Sequence, residues 1–198
     1  MVLSVLYMYL WIMFMREIEI KAKIASVDSI VELLTAQGVA VSEPVTQHDR
    51  VYGLPGIAGD DENTAPWLRI RTETNHGTIK SIFTLKRSVT NQMDSIEHET
   101  EVADDAELEK IIAQLSFVPY SDLTKTRRKA KLTDIEICID TVEGLGTFIE
   151  AEKLTADDAD YQAVVNELWV VFEALGIARD DEVTDGYDVL MNKKLATV

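Results

Sequence analysis

Residues 16–24 read Arg16-Glu17-Ile18-Glu19-Ile20-Lys21-Ala22-Lys23-Ile24. In an extended chain successive side chains point to opposite faces. One face of this strand therefore carries Glu17, Glu19, Lys21 and Lys23, and the other Ile18, Ile20, Ala22 and Ile24. A charged face normally looks at water. Downstream, however, Arg69 and Arg71 oppose Leu68 and Ile70, and Glu97, Glu99 and Glu101 share one face of a strand. Lys125, Arg127 and Lys129 share another, while Glu136 and Asp140 oppose Ile135, Ile137 and Ile139. Charge sign is thus segregated by strand. An unrelieved like-charge pair about 4 Å apart costs on the order of 4 kcal/mol at an effective dielectric near 20. Such faces persist only if opposite charges or a ligand meet them. A sheet closed with these faces inward supplies both, and leaves its apolar faces outward for helices to cover.

The rest of the chain fits that arrangement. Alternation marks eight strands, at Arg16–Ile24, His48–Gly53, Trp67–Glu73, Ile79–Arg87, Ile96–Val102, Leu123–Lys131, Asp134–Thr141 and Thr147–Leu154, a number suited to a small closed barrel. Helical periodicity marks Ser26–Gln37, stopped by Gly38, then Asp104–Leu115, and Asp157–Leu175, stopped by Gly176. Leu54–Pro66, with two Pro and two Gly, reads as a loop. The expected fold class is α+β: a closed eight-stranded antiparallel β-barrel with helices packed outside. Clustered carboxylates without nitrogen or sulfur partners suit a hard cation such as Mg²⁺ or Mn²⁺ bridging to phosphate, and the basic strands supply the remaining counter-charge.

Composition narrows the partners. The chain has 198 residues, and 35 acidic against 19 basic side chains give a net charge of −16. That balance argues against nucleic acid and against an anionic membrane surface as partners. The single cysteine, Cys138, forms no internal disulfide, and a reducing cytoplasm is the expected location. It reads as a small filler rather than a nucleophile, His48 as a surface histidine, and the acidic runs 157–160 and 180–185 as solvated. Met1–Met15 is uncharged and apolar, too short for a spanning helix of roughly 20 residues and without a basic lead or cleavage site for a secretory signal. We expect residues 1–14 to be an N-terminal extension, with Met15 as the natural initiator, ahead of a single domain over 15–198.

Several blocks, taken together and in order, resemble the CYTH superfamily, the triphosphate tunnel metalloenzymes. They are Glu17-Ile18-Glu19-Ile20-Lys21, Gln47-His48-Asp49 before Tyr52, Leu68-Arg69-Ile70-Arg71, Thr84-Leu85-Lys86, the Glu97/Glu99/Glu101 strand, Lys125-Thr126-Arg127 and Ile139 through Glu152. The superfamily includes class IV adenylate cyclases, thiamine triphosphatases and inorganic triphosphatases. The resemblance implies metal ligation by Glu17, Glu19, Glu150 and Glu152, with Asp140 and one member of the acidic strand, taken as Glu99, close by. It implies phosphate binding by Lys21, Arg69, Arg71, Lys86, Lys125 and Arg127, and catalytic roles for Glu17, Glu19, Lys21, Glu150 and Glu152. Tyr187 matches a segment near the tunnel mouth of relatives, where Ser often stands in place of Gly186. The reaction expected is hydrolysis of a nucleoside or other organic triphosphate, because the segment before Glu17 lacks the His-Phe-x-Gly lead-in associated with cyclases of this class. Conversion of ATP to cyclic AMP and pyrophosphate is the alternative, and a noncatalytic polyphosphate- or nucleotide-binding module the third reading. A homodimer is compatible with all three.

Overall fold

The computed structural model describes residues 15–56 and 65–197. Expectations for residues 1–14, and for most of the Leu54–Pro66 loop, lie outside the described residues. Eight strands form one closed barrel: β1 (Met15–Lys23), β2 (Val45–Gly53), β3 (Trp67–Asn75), β4 (Thr78–Asn91), β5 (Asp94–Val102), β6 (Val118–Leu132), β7 (Ile135–Val142) and β8 (Gly146–Ala156). Around the barrel the order is β1-β5-β4-β3-β2-β6-β7-β8, every neighbouring pair antiparallel. Helix α1 (Val27–Ala36) follows β1, α2 (Asp105–Gln114) follows β5, and α3 (Tyr161–Ala174) follows β8.

The outward faces of β1, β3, β7 and β8 are largely apolar, while β2 and β6 also carry polar side chains outward, among them His48, Arg50 and Asp122. Ile18, Ile20, Ile137, Ile139 and Ile149 pack beneath Ile30 and Leu34 of α1 and Leu168, Trp169 and Phe172 of α3. On another side, Leu68 and Ile70 pack against Ile112 of α2. Each of these helices starts where a side chain caps its free N–H groups: Ser26 accepts from the Ser29 N–H, Asp104 from Glu107 and Asp160 from Ala163. α1 and α3 run into Gly38 and Gly176, whose φ angles of 77° and 78° are the left-handed conformation that glycine adopts without strain. Among the described residues no helix is long and apolar enough to cross a membrane.

Beyond shifts of one to three residues at several strand ends, the structure differs from the sequence reading in four places. β4 continues to Asn91, and β6 begins at Val118, before Pro119. β6 pairs with β2 through a register shift at Val51/Tyr52 that accommodates the extra length. α3 starts at Tyr161 because Asp160 is its cap, leaving 157–160 as a turn. A fourth helix, α4 (Tyr187–Leu195), was not expected. It does not lie on the outer wall. Tyr187, Leu190 and Met191 pack with Leu123, Val142 and Phe148, all inward-facing on their strands, so part of the interior is apolar.

Candidate active site

Strand register places opposite charges side by side on the inner face, Lys21 level with Glu150, Asp49 with Arg71, Lys86 with Glu97, and Arg127 with Asp140, while Glu19 is level with another carboxylate, Glu152. They surround a cavity of about 480 Å³ lined by Glu17, Glu19 and Glu152 together with Lys21, Arg69 and Lys125, with Tyr187 also at its wall. The size is that of a small-molecule site. The one geometric condition behind the sequence reading, that the ionic faces share an interior, is met.

Three carboxylates converge, with Arg127 3.4 Å from Glu152 and Lys86 near enough to act on Glu17 and Glu19. Oxygens of Glu17, Glu19 and Glu152 all lie within 4.8 Å of one another. Burial pushes the Glu17 carboxyl well above the usual carboxylate range, and Glu152 and Glu97 push it further. Burial likewise raises Glu152, to about 7, against the pull of Arg127. Carboxyl groups that are costly to ionise this close together accept either protons or a cation. An all-oxygen donor set of this kind fits a hard divalent ion, so the residues present suit Mg²⁺ or Mn²⁺.

The other acidic residues named from the sequence are occupied differently. Glu150 is buried between Lys21, 3.2 Å away, and Arg127, to which it is directly bonded. Despite burial, Arg127, Lys21 and Lys125 hold its carboxyl well below the ordinary range. Asp140 is fully buried and receives Arg127 in a two-pronged ion pair at 2.8 and 2.6 Å, with Lys125 at 3.3 Å. Despite its burial, Arg127 and Lys125 keep it ionised. Glu99 accepts from Thr84 at 2.7 Å and Arg69 at 3.1 Å and is half exposed. Its neighbour Glu97, 2.9 Å from Lys86, is the member of that strand whose charge bears on Glu17, and Glu101 is exposed. Glu150, Asp140 and Glu99 are therefore counter-ions to basic side chains and lie outside the three-carboxylate group.

All six basic residues named from the sequence face the cavity: Lys21, Arg69, Arg71, Lys86, Lys125 and Arg127. Each has a carboxylate partner. Alternation on β2 also sets Asp49 on this face, where it binds Arg71 through two bonds of 2.7 and 2.8 Å. Despite its burial, the charge and hydrogen bonds of Arg71 hold its carboxyl far below the usual range. Asp49 carries no role in the sequence reading, although its position between Gln47 and Val51 shows the facing. Gln92, Met93 and Asp188 also line the cavity, and they come from a turn and a helix that strand alternation does not register. Gly186 leaves room for the Asp188 carboxylate, which a Cβ at position 186 would strike. His48 faces out, 2.8 Å from Asp122. Cys138 is fully buried and burial pushes its thiol up, so it is no nucleophile at neutral pH.

The CYTH domain family model matches residues 15–187. A Methanocaldococcus jannaschii protein, provisionally named an adenylate cyclase, is 33% identical over 175 residues, covering 87% of this chain and 97% of that relative. The solved structure of the PH1819 protein of Pyrococcus horikoshii OT3 superposes with a TM-score of 0.75 at 25% identity, over 89% of this chain and 99% of that one. A Hippeastrum protein described as a provisional adenylyl cyclase with a dominant triphosphatase activity superposes at 0.56 and 19% identity, over 87% and 91% of the two chains.

Proposed function

The chain belongs to the CYTH domain family, and from that premise we propose that it is a divalent-metal-dependent enzyme that hydrolyses a nucleoside or other organic triphosphate. The observation that carries the reading is that one cavity holds both a converging carboxylate group, Glu17, Glu19 and Glu152, two of whose members burial pushes towards the protonated form, and six Lys and Arg residues. A site for an anion alone gains nothing from the three carboxylates. A site for a cation alone gains nothing from the six basic groups.

Within the cavity the basic residues are paired with Glu150, Asp140, Asp49, Glu97 and Glu99, and Arg127 also reaches Glu152. An entering triphosphate brings oxygens that compete for the same N–H groups, with Arg69, Arg71 and Arg127 offering planar forks and Lys21, Lys86 and Lys125 compact charges. Glu17, Glu19 and Glu152 would hold Mg²⁺ or Mn²⁺, which when bound polarises a phosphate and lowers the pKa of water. Burial of Lys21, Arg71, Lys125 and Arg127 matters because fixed charges in a cavity poor in water stabilise negative charge spreading over phosphoryl oxygens. Asp49 and Asp140 keep Arg71 and Arg127 charged and aimed before substrate arrives.

Hydrolysis is preferred to cyclisation because the sequence lacks the cyclase lead-in before Glu17, and the dominant triphosphatase activity described for the Hippeastrum protein is in line with it. The name of the M. jannaschii relative keeps adenylate cyclisation as the second reading. We place the protein in the cytoplasm, in keeping with its single reduced cysteine. Incubating the protein with ATP and Mg²⁺ or Mn²⁺ and separating the products by anion-exchange chromatography distinguishes the readings. ADP and orthophosphate are expected. Cyclic AMP with pyrophosphate would replace hydrolysis by cyclisation, and binding without turnover of ATP, thiamine triphosphate or tripolyphosphate would leave a noncatalytic module.

A further inference from the structure

We propose that Tyr187 is a positioning residue whose ring holds the ammonium groups of Lys21 and Lys125 by cation–π contact, ordering both for phosphate without neutralising either. The inference rests on the reading of the cavity as a triphosphate site. Lys21 Nζ lies 4.3 Å from the Tyr187 ring centroid and Lys125 Nζ 4.9 Å from it, both within the roughly 6 Å over which a ring attracts a cation. The two lysines are almost fully enclosed, at 2% and 3% exposure. Their carboxylate partners are shared with a stronger competitor. Glu150, 3.2 Å from Lys21, also binds Arg127. Asp140, 3.3 Å from Lys125, binds Arg127 through two shorter bonds. Each lysine is therefore left with part of a counter-ion in a setting that strips it of water.

The identity of the third partner then decides what the lysines can do. A further carboxylate would satisfy them and repel phosphate. An aliphatic side chain would leave two poorly solvated ammonium groups free to swing or to lose a proton. An aromatic face stabilises them while adding no negative charge to repel an arriving phosphate oxygen. The ring is held for this purpose. It packs edge-on against Phe148 at 5.1 Å, and it stands at the first turn of α4. That helix is tied to the barrel by Asn192 donating to the Tyr120 carbonyl at 3.0 Å. The segment leading into α4 grips Lys21 as well: the Val183 N–H donates to the Lys21 carbonyl at 2.8 Å, and Lys21 Nζ donates to the Asp185 carbonyl at 3.2 Å.

The test places phenylalanine and its mono-, di- and trifluorinated analogues at position 187 of the full chain. Fluorination keeps the ring's shape and apolar character and progressively removes the negative potential of its face. Binding of inorganic tripolyphosphate in the presence of Mg²⁺ is measured by calorimetry, with melting temperature recorded for each protein. Tyr187→Phe should bind as the unsubstituted chain does. Kd should then rise stepwise with each fluorine, by roughly tenfold across the series, at constant melting temperature and with a far smaller change in kcat for phosphate release. Tyr187→Leu should lose at least as much affinity as the trifluorinated ring. A flat series, or a loss of affinity that tracks melting temperature, would overturn the inference while the triphosphate site stands. Failure of the unsubstituted chain to bind tripolyphosphate at all would overturn both.

Discussion

Glu152 is the residue whose state reports most directly on the metal site. Its carboxyl titrates near 7 in the folded chain against an ordinary 4.5. Without metal, the folded protein therefore keeps a proton that the unfolded chain releases. That contribution to stability is complete below about pH 4.5 and is lost as pH rises towards 7. Glu97, lowered to about 2, acts in the opposite sense, its stabilisation lost only as pH falls below the ordinary carboxylate range. Metal-free melting temperature is therefore expected to fall between pH 5 and 7.5, and the rise produced by Mg²⁺ to grow across the same interval, because the cation takes the ionised carboxylates. Thermal melts with chelator and with Mg²⁺ check this, and a Mg²⁺ effect independent of pH contradicts it. Glu152→Gln should raise metal-free stability at pH 8 by about 1–3 kcal/mol while abolishing the Mg²⁺ effect. Asp49→Ala acts in the reverse direction. It strands the buried Arg71 and should cost about 3–5 kcal/mol in chemical denaturation. Alternation put Glu17 and Glu19 on one face in the sequence, but Glu152 was named there through the family resemblance and together with Glu150. The diversion of Glu150 and Asp140 to basic partners was not legible, because it depends on which of three adjacent strands supplies Arg127.

The elements divide by what their sequences encode. Strands with strict alternation, such as β1 and β7, are legible because one slip in register would turn isoleucines into the cavity and charges into the apolar layer. α1, α2 and α3 are legible from a capping side chain and an apolar stripe. α4 is not: Tyr187-Asp188-Val189-Leu190-Met191-Asn192-Lys193-Lys194-Leu195 has no capping side chain and only a weak stripe, so its position is set by tertiary contact with Leu123, Val142 and Phe148. The start of β6 was hidden by Pro119 and by the register shift beside it. The outer helices serve the barrel's stability and not its chemistry. Phe172→Ala in α3, at a fully enclosed position, should cost about 3–5 kcal/mol yet leave the Mg²⁺-induced rise in melting temperature and the affinity for tripolyphosphate unchanged. Loss of either ligand response in a variant that remains folded would tie α3 to the site.

At the scale of the molecule, the arrangement inverts the usual β-barrel economy of charge. Most apolar faces look outward beneath helices, and ionic faces look inward, where Lys21 meets Glu150, Arg71 meets Asp49, Lys86 meets Glu97 and Arg127 meets Asp140 on the neighbouring strands. Charge is thus largely compensated except around Glu17, Glu19 and Glu152, and a triphosphate and a divalent cation each supply what the other needs: the anion frees carboxylates from Lys and Arg, and the cation removes the repulsion that an anion would meet. Binding of the two is expected to be mutually reinforcing, each raising the other's affinity by the same factor. The most direct test is a crystal structure of the protein with Mn²⁺ and tripolyphosphate, using the anomalous scattering of manganese to locate the ion. The account predicts a manganese peak bounded by Glu17, Glu19 and Glu152, with phosphate oxygens within hydrogen-bond reach of Lys21, Arg69, Arg71 and Arg127. Manganese and tripolyphosphate bound on the outer surface, with the interior ion pairs unchanged, would contradict it.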